Sequence, residues 1–179
     1  SGSGQQGVDE LIDQTDQLRP DVAGLMDGTA PEVQAKLYRR PIGFNVVPFA
    51  GGPSGDDGYT DEELKLVNES RKILSAPDLA VEPTCVRVPV LVGHGVAATM
   101  WFERPVDVPE ALDVLGAAPG LELWEDEIPT PQDSAGRDDV LAGRVRPTVG
   151  IPGGISLWVV GDNLRKGAAL NACQIAELI

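Results

Sequence analysis

The segment from Ile155 to Val160 is nearly continuous in apolar residues, and this run limits the folds that the chain can adopt. A run of this length and character is typical of a central strand that is covered on both faces of a sheet. Other segments rich in Val, Thr and aromatic residues predict further strands, at 84–92, 96–102, 120–124 and 143–147. Helices and strands do not alternate regularly along the chain. The sequence therefore predicts an α+β fold, with one mixed, largely antiparallel sheet and helices mainly on one face.

Helical patterns are expected between and around these strands. Thr60 can cap a helix that runs to about Leu74, because Glu63 stands at the capping-box position. Leu64, Val67, Arg71 and Leu74 would then form one buried stripe on that helix. Further helices are predicted at 8–14, 31–38, 109–115 and 165–179. The last of them is apolar around its whole circumference, so we expect other surfaces to cover it on every side.

Length and charge restrict the partners. A chain of 179 residues fits one domain spanning 1–179. Its 28 acidic and 14 basic residues give a net charge of −14, which repels nucleic acid and anionic membranes. No apolar run approaches the roughly 20 residues of a membrane span, and no signal-like stretch opens the chain. These observations predict a cytoplasmic protein that acts on small molecules.

The two cysteines do not suggest metal or disulfide chemistry. Cys85 lies in a Val-rich segment and Cys173 in the last helical pattern, and no metal-ligand spacing links them. Both are expected to be buried structural thiols, and no metal site is predicted.

The opening segment, with glycines at positions 2, 4 and 7, allows three interpretations. It formally matches a dinucleotide-binding fingerprint, but that motif requires a preceding strand. It also has the composition of a flexible Ser-Gly linker. The third interpretation is a Gly-rich turn whose N–H groups, at a helix start, bind an anion or a carboxamide. Composition alone does not separate the three.

The segment with Arg87 and His94 has the highest density of side chains suited to binding and catalysis in this chain. A guanidinium can bind a carboxylate through two parallel hydrogen bonds, and the single histidine can exchange protons near neutrality. In one uninterrupted strand, positions seven apart point to opposite faces, so a shared site requires a break between them. Gly93 and Gly95 permit such a kink. The alternative is a histidine that only satisfies structural hydrogen bonds.

Glu62 and Lys65 share one face of the helix that begins after Thr60. A surface ion pair is the simpler explanation, and it contributes only a few tenths of a kcal/mol. The functional alternative is that Glu62 holds a substrate ammonium group and Lys65 a phosphate.

A family resemblance adds to these alternatives. The opening Ser1-Gly2-Ser3-Gly4, the blocks at 60–65 and 68–74, the run 84–90, Gly93-His94 and the block 161–171 together resemble aspartate-semialdehyde dehydrogenase. The resemblance covers only the second part of that enzyme, the catalytic and dimerisation domain. That domain is similar in fold to the C-terminal domain of glyceraldehyde-3-phosphate dehydrogenase.

The resemblance implies an NADP-dependent interconversion of aspartyl β-phosphate and aspartate β-semialdehyde through a cysteine thioester. His94 would be the acid/base, Arg87 would bind the substrate carboxylate, and Glu62 the ammonium. Lys65 would contact the phosphate, whereas the cofactor would be contacted by Ser1, Gly2 and Asn163. The resemblance also implies a homodimer through the sheet face, and a segment at 163–179 that packs on an NADP-binding domain.

Two departures from the family pattern bear on these expectations. Gly95 stands where the family usually has serine after the catalytic histidine. The nucleophilic cysteine and the NADP-binding domain precede this region in the family, so the 179 residues alone are expected to be inactive. A stand-alone module for dimerisation or amino-acid binding is one alternative. An acetylglutamyl-phosphate reductase is another, although Glu62 argues against an acetylated nitrogen.

Overall fold

The chain divides between Pro89 and Val90 into two units in the computed structural model, which describes residues 2–179. One unit comprises residues 3–89, and the other comprises Gly2 with residues 90–179. The predicted α+β architecture is present, with helices in both units and one sheet in the second. No helix within residues 2–179 is both long enough and apolar enough to cross a membrane.

The unit of residues 3–89 is built from helices and loops. Its elements are α1 (Gly4–Leu18), a 3₁₀ turn (Arg19–Asp21), α2 (Val22–Asp27) and α3 (Asp61–Ile73). The α1 helix begins before the predicted residue 8, and Gly7 packs beneath Tyr38, where an added Cβ would lie 2.4 Å from the tyrosine Oη. The interpretation of residues 4–7 as a flexible linker is therefore wrong.

A polar network inside this unit fixes the long loop that follows α2. Glu10 is 7% exposed and Gln14 is 2% exposed, and the two side chains hydrogen bond to each other at 3.0 Å. Both side chains also hydrogen bond to the loop backbone. Glu10 accepts hydrogen bonds from two N–H groups, and Gln14 accepts hydrogen bonds from two more and donates one to a carbonyl oxygen. The backbone partners are Gln34, Lys36, Leu37, Ile42 and Gly43.

The predicted helix at 31–38 is absent for this reason. Backbone groups that would form helical hydrogen bonds are bound to α1 side chains instead. The short α2 forms earlier in the chain, where the Asp21 side chain accepts from Gly24 N and Gly28 ends the helix at a φ of +82°. Beside the network, Leu11, Ile42 and Val47 form the apolar core, with Tyr38 and Phe49 packed against it.

The α3 helix begins as predicted. Thr60 is its N-cap, and Thr60 and Glu63 form both hydrogen bonds of a capping box. The predicted buried stripe is wrong, since Leu64, Val67 and Arg71 are only half-buried and Leu74 is 66% exposed. The buried residue of α3 is Glu63, whose carboxylate is bound by backbone N–H groups.

The sheet lies in the other unit. Its strands are β1 (His94–Trp101), β2 (Leu121–Trp124), β3 (Val140–Pro147) and β4 (Gly154–Gly161), in the order β1-β4-β3-β2. β4 pairs antiparallel with β1 and β3, whereas β2 and β3 are parallel, so the predicted mixed, largely antiparallel sheet is confirmed. The run at 155–160 is the central part of β4, and Ile155 and Val160 are each 1% exposed.

Helices accompany the sheet in the same unit. They are α4 (Val108–Gly116), α5 (Pro131–Ser134) and α6 (Leu170–Ala176), with a π-helical turn (Arg165–Ala169) before α6. α4 packs on β2 and β3, and α5 packs on β4. The predicted strand at 84–92 is wrong, because this segment forms only an isolated bridge between Val47 and Arg87. Prolines at 83 and 89 cannot donate to a ladder, which limits the pairing.

Candidate active site

The first turns of α3 bring opposite charges to one exposed face. Lys65 Nζ lies 3.7 Å from Glu62 Oε2, and the two side chains are 55% and 45% exposed. An ion pair of this length and exposure contributes little to folding. Both groups are thus accessible to a ligand, and the predicted shared face of Glu62 and Lys65 is confirmed.

Glu63 ties this helix start to the segment that carries Arg87. Its Oε2 atom accepts from Thr60 N at 2.9 Å, and its Oε1 atom accepts from Cys85 N at 2.8 Å. The backbone N–H of Cys85 and that of Thr60 together hold the pKa of Glu63 below its ordinary value. The carboxylate is therefore charged at neutral pH and joins two segments that contribute candidate site residues.

Arg87 is fixed through its backbone. Arg87 N donates to Val47 O at 2.8 Å, and Val47 N donates to Arg87 O at 3.0 Å. Val47 is buried in the core, so this bridge anchors Arg87 to the body of its unit. The residue is half-buried, and no side chain among residues 2–179 forms an ion pair with its guanidinium.

The Cys85 thiol shows that these charges share one neighbourhood. Burial raises the pKa of Cys85, the carboxylates of Glu63 and Glu62 raise it further, and the guanidinium of Arg87 lowers it. The thiol therefore stays protonated at neutral pH and is not an activated nucleophile. Glu62 and Arg87 therefore both lie within electrostatic range of this one thiol, so a carboxylate and a guanidinium act on the same part of the unit.

His94 belongs to the other unit and begins the edge strand β1. The preceding Gly93 has a φ of +85°, which confirms the predicted kink. An added Cβ at Gly93 would lie 3.0 Å from Pro131 O and 3.1 Å from Ser134 Oγ, so the chain turns tightly against α5. His94 is exposed at this kink. Because Arg87 and His94 belong to different units, their convergence on one pocket stays a prediction.

Asn163 contacts the same kink. Its Oδ1 atom accepts a hydrogen bond from Gly93 N at 3.0 Å, across 70 residues of sequence. The family resemblance predicts that Asn163 contacts a cofactor, and the structure adds a hydrogen bond from the backbone of Gly93, the residue before His94. The amide group leaves Nδ2 as a remaining donor on the same side chain.

Asp162 holds Asn163 in place. Its buried carboxylate accepts from Gly136 N at 2.8 Å, Leu164 N at 2.8 Å and Arg165 N at 3.2 Å. Burial acts to raise the pKa of Asp162, but these backbone donors outweigh it and lower the pKa below its ordinary value. The aspartate therefore joins the loop after α5 to the start of the C-terminal helical segment.

The departure at Gly95 has a structural cause. A Cβ added to Gly95 would lie 2.3 Å from Cη2 and 2.4 Å from Cζ2 of Trp158. The indole fills the space that serine or any other side chain would need. Glycine at this position is therefore matched to the tryptophan on the neighbouring strand.

The remaining expectations on site residues and thiols have mixed outcomes. Gly2 is exposed and belongs to the same unit as His94 and Asn163, whereas Ser1 lies outside the described residues. Cys173 is exposed on α6, so the expectation of a buried thiol is wrong there. α6 is a short helix, and nothing among the described residues covers this part of its surface.

Sequence reasoning missed the roles of Glu63 beyond the cap, of Asp162 and of Trp158. The capping-box pattern identified Glu63 but gave no sign of its bond to Cys85, which lies 22 residues away. Asp162 follows a strand and precedes a helical segment, and an Asx-type turn would have been a fair signal. The pairing of Trp158 with Gly95 depends on strand register, which the sequence did not specify.

Comparison with known proteins identifies the family. The profile described as "Semialdehyde dehydrogenase, dimerisation domain" matches residues 1–166. The chain is 50% identical over 183 residues to aspartate-semialdehyde dehydrogenase of Streptomyces akiyoshiensis, covering all of this chain and 53% of that protein. It is 49% identical to the protein of the same name from Mycolicibacterium smegmatis, with the same shares covered. The chain thus spans about half the length of these relatives.

A solved structure agrees with the sequence comparison. The crystal structure of aspartate semialdehyde dehydrogenase II from Vibrio cholerae matches 99% of this chain and 51% of its own, at 43% identity and a TM-score of 0.87. The same enzyme has been crystallised in complex with ASA, with an equal TM-score to this chain. These matches support the predicted resemblance and fold, and the chain belongs to the semialdehyde dehydrogenase family, whose dimerisation domain it contains.

Proposed function

We propose that this chain forms the substrate-binding and acid/base part of an NADP-dependent aspartate-semialdehyde dehydrogenase. The reaction would convert L-aspartyl 4-phosphate into L-aspartate 4-semialdehyde and phosphate, in the biosynthesis of lysine, threonine and methionine. The names of the relatives and the V. cholerae complex with ASA support this substrate class.

The observation that carries the proposal is the grouping of charges around Cys85. The charges of Glu62 and Arg87 both influence the pKa of the Cys85 thiol. The Glu63 side chain, at the start of α3, accepts a hydrogen bond from the backbone of Cys85. A free amino acid presents an ammonium and a carboxylate close together, and this arrangement offers a partner of the correct sign to each. In the proposal Arg87 binds the α-carboxylate, Glu62 accepts the ammonium and Lys65 contacts the phosphate.

His94 is the proposed acid/base. Histidine side chains can exchange protons near neutrality, and His94 is exposed at the start of β1. It would take the proton of the attacking thiol and exchange a proton with the oxygen of the hemithioacetal. The thiol is expected from a part of the protein that corresponds to the other half of the relatives.

The residues proposed for the cofactor fit a nicotinamide carboxamide. Asn163 keeps a donor at Nδ2 while its Oδ1 binds Gly93, and Gly2 is exposed in the same unit. Ser1 is proposed to take part with them. NADPH, when bound, would supply the hydride for reduction of the acyl group. The contribution of this chain would be to hold the carboxamide and to position His94.

The assembly is proposed from exposed apolar surface. We propose that the chain forms a homodimer through the sheet face, because β1 leaves apolar side chains such as Val96 and Trp101 about half exposed. Leu164 is 61% exposed, Ile175 54% and Leu178 87%, which supports packing of segment 163–179 on an NADP-binding domain. The biosynthetic role fits a cytoplasmic location.

A chimera tests the proposal. Residues 1–179 would replace the matching segment of the S. akiyoshiensis relative, and NADP-dependent oxidation of aspartate semialdehyde in the presence of phosphate would be measured. The matching segment of the M. smegmatis relative serves as a control for the graft itself. We expect the chimera to be active and Glu62→Gln to raise the substrate KM selectively. An inactive chimera beside an active control graft would contradict the proposal.

The isolated 179 residues are proposed to be inactive, because the covalent route needs a thiolate that Cys85 does not supply. Thiol-dependent reduction of NADP by this chain alone would contradict this part. Binding of aspartate semialdehyde without turnover would agree with it.

A further inference from the structure

The contact between Trp158 and Gly95 lies beside the proposed acid/base. Gly95 directly follows His94 in β1, and Trp158 lies on the paired strand β4, opposite Ala97. Two atoms of the indole edge occupy positions 2.3 and 2.4 Å from the site of an added Cβ at residue 95. Cβ contacts this short are essentially never seen in proteins. A side chain at position 95 would therefore require the Trp158 ring or the β1 strand to shift.

The indole ring is itself anchored. Trp158 Nε1 donates to Pro129 O at 2.7 Å, and Pro129 is among the fully buried residues. Pro129 also fills the space above Gly143, the β3 partner of Trp158, where an added Cβ would lie 2.6 Å from the proline Cδ. The ring therefore has a polar anchor and a packed neighbour, which oppose any movement away from Gly95.

The backbone of Gly93, the residue before His94, is also fixed by its contacts. Gly93 N donates to Asn163 Oδ1, and Gly93 packs against Pro131 and Ser134 of α5. The backbone on each side of His94 is thus fixed by contacts of a different element. A histidine whose neighbours cannot move presents its imidazole from a defined point, even though the side chain itself is exposed.

We propose that Trp158 is a positioning residue for His94, and that its indole edge fixes the strand backbone immediately after the histidine. The inference rests on the proposed role of His94 for its functional meaning. The structural relationship between Trp158, Gly95 and the conformation of His94 can be tested without any assay of activity.

A double-mutant cycle in the 179-residue chain tests the coupling. Gly95→Ala should lower the Tm by about 3 to 10 °C, because the added methyl group overpacks against the indole. In the Trp158→Phe background, where the outer ring atoms are removed, the same substitution should cost much less. Trp124→Phe is the matched control, since this tryptophan bonds to Glu122 rather than contacting β1. There the cost of Gly95→Ala should be unchanged.

The single histidine gives a direct readout of position. Labelling this one residue yields a single imidazole Cε1–H signal in an NMR spectrum. We expect Gly95→Ala to shift the signal when Trp158 is present and to shift it much less in the Trp158→Phe background, whereas the shift should be unchanged in the Trp124→Phe background. Loss of an indole ring by itself alters the ring current at nearby protons, so the shift that Gly95→Ala causes within each background is the quantity compared.

The outcomes separate the two proposals. Additive Tm changes, or an unmoved His94 signal, would overturn the positioning role. If Gly95→Ala alone does not fold, regained folding in the double variant supports the inference, and a double variant that is equally unfolded overturns it. An active chimera carrying His94→Gln would contradict the proposed function while leaving the coupling of residues 95 and 158 intact.

Discussion

Glu63 Oε1 accepts a hydrogen bond from the backbone N–H of Cys85 at 2.8 Å, so a helix cap also organises a segment 22 residues away. The other carboxylate oxygen completes the cap at Thr60. One buried side chain therefore determines both where α3 begins and where the segment leading to Arg87 lies. Neither Glu62 nor Arg87 needs to contact the other for their relative placement to be fixed.

The Glu63 carboxylate should make the folding stability of the chain depend on pH. Its pKa is lowered in the folded chain, so its stabilisation is present above the ordinary glutamate pKa of about 4.3 and is lost as the pH falls through the folded value. Glu63→Gln should lower the Tm at pH 7, and the difference from the unaltered chain should shrink below about pH 4. Thermal unfolding across this pH range measures the effect, and a difference independent of pH would contradict it.

The contribution of the α3 N-cap to the free energy of unfolding can be measured separately. Thr60 is 1% exposed, and Thr60→Ala removes the hydroxyl that accepts from Glu63 N. We expect a loss of about 1 to 2 kcal/mol in the free energy of unfolding. Thr60→Ser keeps the hydroxyl and is the control. Equal losses from both substitutions would indicate that the methyl group, rather than the cap, stabilises the helix.

The buried Gln14 should be far more sensitive than its neighbour on the same helix. Gln14→Leu leaves the N–H groups of Ile42 and Gly43 without their acceptor, at a cost of roughly 2 to 4 kcal/mol. Gln17→Leu is the matched control, because Gln17 is exposed and bonds only to Asp13 O, so its change should stay within about 0.5 kcal/mol. Denaturant unfolding of both variants provides the comparison.

Asp162→Ala should loosen the connection between Asn163 and the His94 kink. The substitution removes the acceptor of Gly136, Leu164 and Arg165, and a buried donor left unsatisfied costs about 1 to 3 kcal/mol. Amide exchange at Gly93 should accelerate as well, since its acceptor is carried by the next residue. Protection of Gly93 equal to that in the unaltered chain would show that Asn163 is held by other contacts.

The proposed catalytic roles predict different kinetic effects in the chimera. His94→Gln should lower kcat by about 10²- to 10⁴-fold, as expected for loss of a general acid/base. Arg87→Lys keeps the charge but cannot form the bidentate pair, so it should mainly raise the substrate KM, by roughly 10-fold or more. Steady-state kinetics distinguishes the two, and an unchanged KM in Arg87→Lys would contradict carboxylate binding.

Local patterns predicted the fold well where short-range rules dominate. The capping box at Thr60, the central strand at 155–160 and the helix predicted at 109–115 all appear close to their expected positions. The prediction failed at 31–38 and 84–92, where the backbone hydrogen bonds go to distant partners. Periodicity carries no information about an acceptor such as Glu10, which lies 26 residues before the amide that it binds.

In the candidate site, too, short-range patterns were predictable from the sequence and contacts between distant residues were not. Spacing placed Glu62 and Lys65 on one helix face and allowed a kink at Gly93, and both are observed. The bond from Gly93 to Asn163 and the match between Gly95 and Trp158 depend on strand register and loop closure. Those relationships appear only once the β1–β4 pairing is known.

The loop that Glu10 and Gln14 hold has a consequence for how this part of the chain opens. The amides of Lys36, Leu37, Ile42 and Gly43 are all protected by two side chains on one helix rather than by a ladder of their own. A single fluctuation that frays α1 would expose all of them together. They should then behave as one cooperative foldon, with a common opening free energy set by the helix and not by the loop.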